Sequence, residues 1–458
     1  MIQEKNTYKL FNLPWYYFAI FSVVVLAATF LGVLPSGMAG CFAFMIVFGT
    51  LLNELGDKLP IVRSYLGGGA IVVIFGMGFL RYMNFFGIFD LLNEAKDGVT
   101  YTATLMKNIE SFFKPTGAFL DLYIAALITG SILGMNRKLL MKAAARYFPA
   151  IFGGIALSFG LALLVGGVTG FGAVKALLLI ALPIMGGGMG AGAVPLSKIF
   201  ESTGTMSAEE AISIMNPAVA IGNATSIVLA GIIVKVITSK KWNGQGTLMK
   251  SGVADASELE ISPEMQAKRD KISVTNLGIG LFVSTSFFAF GYILSKGWSA
   301  LVPSVSIHAY AWMIISVALC KIFNLLPENI EIACFQWFQF IMKNLTPALL
   351  VGIGLCYLSL DVVIANFNLT YLLLCLVVCL GAVVGAGLVG KLVGFYPVEA
   401  GITAGLCMAN MGGTGDVAVL SAADRMELMP FAQISSRLGG AIILIIGSLM
   451  LSLLGGML

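Results

Sequence analysis

The chain has 458 residues, 58% hydrophobic and 11% charged, against the roughly 25% charged of a soluble globular protein. Lys and Arg number 27 against 23 Asp and Glu, a net charge of +4, too small and scattered for the basic stripe of a nucleic-acid reader. A bilayer crossing takes about 20 apolar residues, so roughly eleven crossings would leave little chain for a catalytic domain outside the membrane.

The first segment, Met1 to Asn12, carries Lys5 and Lys9 ahead of the apolar run Pro14–Leu34. That run is too long for a signal-peptide core and lacks a small-residue cleavage site, so it reads as a retained first helix. Apolar runs follow at Ser36–Leu55, Gly67–Phe85, Ala118–Met135, Ala150–Thr169, Ile212–Ile237, Leu277–Ser295, Ile307–Leu326, Leu345–Val363, Leu369–Val393 and Phe431–Met457. Two more, Gly172–Phe200 and Gly394–Leu420, are interrupted by glycine clusters. Glycine does not sustain a straight helix in lipid unless the freed backbone finds other partners. Both read as re-entrant hairpins or discontinuous helices. The expected fold is an all-α polytopic membrane protein with about eleven transmembrane helices plus two re-entrant glycine hairpins.

Cytoplasmic loops carry the excess of Lys and Arg. With the N-terminus inside, the inner loops hold Lys5, Lys9, Lys58, Arg63, Arg137, Lys138, Lys142, Arg146, Lys240, Lys241, Lys250, Lys268, Arg269, Lys271 and Lys343, fifteen in all. The outer side holds seven: Arg81, Lys96, Lys107, Lys114, Lys175, Lys198 and Lys296. The expected orientation is N-terminus cytoplasmic and C-terminus outside, with the polar stretch Ser239–Thr275 as a cytoplasmic linker.

The two glycine clusters share the pattern GGxGxxAV, once from Gly187 to Val194 and again from Gly412 to Val419. Each follows four crossings of its half and precedes a fifth, so the second half enters the membrane from the opposite side, as in the inverted repeats of many secondary transporters. The chain then divides into an N-terminal tail and extra first helix (1–35), a first inverted repeat (36–238, hairpin 172–200), the linker (239–275) and a second inverted repeat (276–458, hairpin 394–424).

Each glycine cluster exposes unpaired N–H groups, and the helix restarting beyond it contributes roughly +0.5 charge at its N-terminus. Two such ends plus one arginine suit a dicarboxylate. Arg437 is the candidate arginine, about 10 Å into the last helix if that helix starts near Pro430. Burying a guanidinium there is costly unless it is paired or hydrated, and a carboxylate ligand is a good partner. The alternative is an arginine tied to Asp416 or to hairpin carbonyls. Asp416, at the start of the restarting helix, caps that helix, binds a sodium ion or carries a coupled proton. Asn410, Ser435, Ser436, Asn216 and Asn223 supply further polar groups, to a ligand or to helix contacts. Glu399 and Lys175 read as interfacial charges, and His308, the one histidine, as a helix-end residue. The seven cysteines show no CxxC pair or regular spacing and read as small core residues.

The stretches Leu127–Gly130 with Asn136–Leu140, Leu182–Leu196 (LPIMGGGMGAGAVPL), Ser306–His308 with Ala311–Met313, Gly401–Met408 (GITAGLCM) and Phe431–Gly440 (FAQISSRLGG) resemble the bacterial 2-hydroxycarboxylate transporters, which carry citrate, malate and lactate. The resemblance runs from about Phe11 to the C-terminus. It implies a homodimer in the lipid of the cytoplasmic (inner) membrane, each protomer having a static dimerisation part and a mobile transport part that holds both hairpins. It also implies that Arg437 binds a substrate carboxylate, that the glycines of both motifs line the site, and that Cys407, Ser435 and Ser436 lie near it. In the sodium–citrate branch of that family the motifs read GGGNG and NRGGSG; here Met189 and Met411 replace the asparagine and arginine. The expected substrate site is Arg437, Gly187, Gly188, Met189, Gly190, Asn410, Met411, Gly412, Gly413, Thr414, Gly415 and Ser436. Cys407, Asp416 and Ser435 are the expected ligands of a coupling cation, sodium or proton, with no other cofactor and no metal site.

Two other readings are weaker. Gly413-Thr414-Gly415-Asp416 fits the GxGD pattern of intramembrane aspartyl proteases, which need a second carboxylate sharing a proton, and Leu369–Val393 contains none. A passive anion channel needs repeated polar or charged rings, whereas this chain offers one deep arginine and two hairpins.

Overall fold

The computed structural model describes residues 8–62, 69–93, 95, 98–113, 118–135, 137–249, 263–302, 307–412, 414–425 and 428–458. These residues are almost entirely helical. Their one sheet is the antiparallel pair Lys9–Leu10 and Leu13–Pro14, turned through Phe11 and Asn12 at φ 50° and 60°.

Seven helices are long and apolar enough to cross a membrane: Met38–Lys58, Tyr147–Val168 within Arg137–Val168, Ala208–Val236, Val274–Leu301, Glu328–Cys356, Leu369–Leu392 and Phe431–Met457. The pair Gly69–Tyr82 and Phe85–Leu91, bent by 55°, makes an eighth if taken as one span. Trp15–Phe30, Phe119–Leu133 and Ala309–Ile322 are apolar but shorter. Each of the eleven apolar runs overlaps one of these helices, and the chain is a multi-pass, all-α membrane protein. The run expected at Leu345–Val363 is displaced: its helix starts at Glu328 and ends at Cys356. Glu331 and Gln336 lower the hydropathy of that first half, yet both pair inside the protein, Glu331 with Lys321 at 2.6 Å and Gln336 with the backbone of residues 268–273. Tyr101–Phe113, which falls between apolar runs, is an amphipathic helix that buries Leu105, Ile109, Phe112 and Phe113 on one face.

The chain forms two compact units, Met1–Ser64, Gly68–Tyr123 and Phe340–Leu360 in one, Tyr65–Gly67, Ile124–Gln339 and Asp361–Leu458 in the other. The first has an aromatic core in which Phe44, Phe86 and Phe89 cluster and Phe42 sits between Phe112 and Phe119. Tyr123 closes it with a 2.8 Å hydrogen bond to Thr346 Oγ1.

The second unit holds both glycine-interrupted stretches, and its central contact is between the helices that lead into them. Arg137–Val168 packs on Leu369–Leu392 where Gly153 meets Gly385 and Ser158 meets Gly381. Small residues at four-residue spacing let two backbones approach closely in lipid, and Ser158 Oγ adds a 2.8 Å bond to the Val378 carbonyl. A Cβ on Gly385 would collide with the Gly153 carbonyl. We therefore expect Gly385→Val to lower stability by about 3 kcal/mol or more, read as a depressed unfolding temperature in detergent; an unchanged temperature would count against this packing.

The polar linker is partly structured. Residues 242–249 lie along the start of the second glycine-interrupted stretch: Val398 N donates to the Trp242 carbonyl at 3.0 Å, Tyr396 N to that of Leu248 at 2.9 Å, and Met249 bridges Phe395. Glu399, expected as an interfacial charge, is instead fully buried. The linker covers it, Gly244 N and Gly246 N donating to its carboxylate at 2.8 and 3.3 Å, and Arg425 Nε stands 3.5 Å away. Lys175 is partly buried beside the Phe171 ring.

Candidate functional site

Both glycine-interrupted stretches have the same order of parts. The first runs Ala173–Ala176, a π-helical segment Leu177–Ala181, Leu182–Met185, a break, then the π-helical Met189–Ala193 and the helix Val194–Ser202. The second runs Pro397–Ala400, a π-helical Gly401–Leu406, a break, then the helix Thr414–Ala423. The last helix carries a fourth such segment at Ser435–Gly439, the turn that bears Arg437. Wide π turns loosen the regular hydrogen-bond ladder and are frequent at functional sites. Gly187 and Gly188 reach φ 78° and 111°, and Gly412 reaches 64°, values open to glycine at little cost.

The two breaks and the last helix meet backbone to backbone. A Cβ on Gly188 would stand 2.8 Å from the Met411 carbonyl, one on Gly187 2.5 Å from the Ser436 carbonyl, and one on Gly440 2.8 Å from the Gly186 carbonyl. Helix Ala208–Val236, capped by Ser207 and acidic in its first turn, holds the second break in shape. One helical turn apart, Asn223 Oδ1 accepts from Met411 N at 3.1 Å and Ser226 Oγ donates to the Ala409 carbonyl at 3.2 Å. Backbone freed by the break is thus satisfied by side chains, as mid-membrane irregularity requires.

Asp416 is fully buried. Its carboxylate accepts from Asn410 Nδ2 at 3.0 Å and from Ser436 Oγ at 2.8 Å, while Asn410 Oδ1 accepts from Gly412 N at 2.6 Å. Arg437 follows Ser436 directly and is partly buried, yet makes no hydrogen bond or ion pair among the described residues. The alternative in which Arg437 is tied to Asp416 is therefore not the arrangement found. Ser435 turns away from Asp416, because successive residues of a helix are rotated by roughly 100°. Its hydroxyl instead meets Tyr147 Oη at 2.8 Å, and Tyr147 also donates to the Phe431 carbonyl at 3.1 Å.

Among the other expected residues, Cys407 is buried and makes no side-chain hydrogen bond among the described residues, Met189 is buried, and Gly190 and Met411 are partly buried. Gly415 packs against the Asn223 and Asn410 amides. Gly413 and the Thr414 side chain lie outside the described residues. Asn216 is fully buried with both amide atoms unpartnered and does not join the network. His308 caps the helix Ala309–Ile322, its Nδ1 accepting from Tyr310 N at 3.2 Å. Sequence reasoning missed Tyr147 and Ser226; nothing local marks a tyrosine whose partner lies 288 residues away.

This geometry can bind an anion: a guanidinium without an internal partner stands beside paired glycine breaks, while the one buried acid of the site is already satisfied. The model of the 2-hydroxycarboxylate transporter family matches residues 10–449. The citrate/sodium symporter of Salmonella typhimurium is 36% identical over 448 residues, covering 98% of this chain and 95% of the relative. The citrate transporter CitP of Leuconostoc mesenteroides is 37% identical over 435 residues, with 95% and 92% coverage. The malate transporter MleP of Lactococcus lactis is 37% identical over 441 residues, with 96% of each chain covered.

Proposed function

Because the chain belongs to the 2-hydroxycarboxylate transporter family, we propose that it is a cation-coupled secondary transporter of malate in which Arg437 receives one substrate carboxylate. The observation that carries this reading is Arg437 itself, partly buried and without a partner among the described residues, while Asn410 and Ser436 already satisfy Asp416. The glycine breaks add backbone N–H groups and the ends of restarting helices, which favour an anion. The family is one of transporters rather than enzymes.

Sodium is the proposed coupling ion, by the name of the symporter relative, with Asp416 as its carboxylate ligand and Cys407 and Ser435 nearby; exchange against lactate is the second mode. Both glycine breaks and the last helix fall in one compact unit, which supports an elevator-type mechanism in which that unit carries the substrate. A homodimer in the bacterial inner membrane, N-terminus cytoplasmic and C-terminus outside, completes the proposal.

Met411 places an uncharged side chain at the second break, so one arginine in this site suits two carboxylates better than three. Uptake of labelled malate and citrate into proteoliposomes, with sodium gradient, pH gradient and internal lactate varied separately, tests the reading. Malate uptake is expected to exceed that of citrate at alkaline pH. Citrate uptake should rise as pH falls through the last citrate pKa, since only then is one carboxylate neutral. Accumulation of neither acid under any gradient would sink the proposal.

A further inference from the structure

The linker returns to the membrane through the helix Pro263–Asp270, and Gln336 grips its end. The Gln336 amide donates to the carbonyls of Lys268, Arg269 and Lys271 at 3.3, 3.1 and 3.0 Å and accepts from Ser273 N at 3.2 Å. With the backbone so held, the Arg269 side chain is only 7% exposed, its guanidinium 4.7 Å from the centre of the Phe335 ring. Its Nε and Nη1 are buried without a hydrogen-bond partner.

An arginine is seldom taken out of water without a carboxylate. Of the two acids whose charge it feels, Glu331 gives one oxygen to Lys321 at 2.6 Å and Glu328 is bonded to Lys268 at 2.8 Å. Burial, and next the positive charge of Arg437, hold the Arg269 guanidinium below its ordinary pKa, with Glu331 and Glu328 opposing. Two arginines, neither bonded to a carboxylate among the described residues, therefore press on each other within one compact unit. Like charges placed so are relieved by an anion between them.

We propose that Arg269 is a second substrate-binding arginine, taking the other carboxylate of a C4 dicarboxylate whose first carboxylate is held by Arg437. This rests on the transport reading above and extends the site to the linker. It makes Arg269 the residue that separates dicarboxylates from monocarboxylates.

The test is malate uptake by the full-length protein in proteoliposomes, wild type against Arg269→Gln and Arg269→Lys, with lactate as competitor. Arg269→Gln is expected to raise the half-saturating malate concentration tenfold or more while the maximal rate stays within twofold, and to change the competing strength of lactate less than twofold. Arg269→Lys should fall between, with a rise of about threefold; if the glutamine variant does not accumulate, the lysine variant decides. An unchanged malate half-saturation, an equal loss for lactate, or the same malate-selective loss in Glu331→Gln would overturn the proposal, the last by making Arg269 a structural partner of Glu331. Wild-type protein that takes up no 2-hydroxycarboxylate would sink the transport reading instead.

Discussion

Arg437→Lys is expected to raise the half-saturating malate concentration tenfold or more, and Arg437→Gln to abolish measurable uptake, in protein that still reaches the membrane in normal amount. The guanidinium offers a planar fork matched to a carboxylate, and an ammonium offers a point charge that keeps attraction and loses the two-point fit. A hydrogen bond to a charged group contributes about 1.5–3 kcal/mol, so one lost arm corresponds to roughly 10- to 150-fold in affinity. The folded state should tolerate the change, because Arg437 makes no hydrogen bond or ion pair among the described residues. Concentration-dependent uptake, normalised to reconstituted protein, provides the measurement; a shift below about threefold, under about 0.7 kcal/mol, would argue against direct carboxylate contact.

At Gly188 the expected effect is on the fold of the site rather than its charge. Its φ of 111° lies where side chains are strained, at a cost of order 1–3 kcal/mol. A Cβ there would also stand 2.8 Å from the Met411 carbonyl, a backbone atom that Asn223 and Ser226 hold on either side through Met411 N and Ala409 O. Gly188→Val should therefore separate the two breaks, remove transport and lower the unfolding temperature in detergent. Gly160, in the helix Arg137–Val168, has nothing within 4 Å of a built Cβ and provides the control. Gly160→Ala should leave transport unchanged and stability the same or up to about 1 kcal/mol better, since alanine favours helix. Equal behaviour of the two variants would show that the breaks do not depend on close backbone approach.

Length of apolar run and glycine clustering are local properties, and they made the helices, the two interruptions and the depth of Arg437 legible in the sequence. The motif stretches likewise pointed to the family, because a run such as FAQISSRLGG carries its specificity in consecutive residues. What stayed hidden depends on partners far apart in the chain. Hydropathy put a crossing at Leu345–Val363, whereas the helix is Glu328–Cys356, because Glu331 and Gln336 look like loop residues until Lys321 and the returning linker are seen to satisfy them. Glu399 looked interfacial for the same reason, its burial being set by linker residues Gly244 and Gly246. Ser435 and Ser436 are alike in sequence; only the packing of Tyr147 on one and Asp416 on the other tells them apart. Arg269 read as one more charge of the positive linker, and its burial against Phe335 is a tertiary fact. A polar side chain costs little in water and much when buried alone, so its role is decided by which partners the fold delivers, and the residues that deliver them here lie tens to hundreds of positions away.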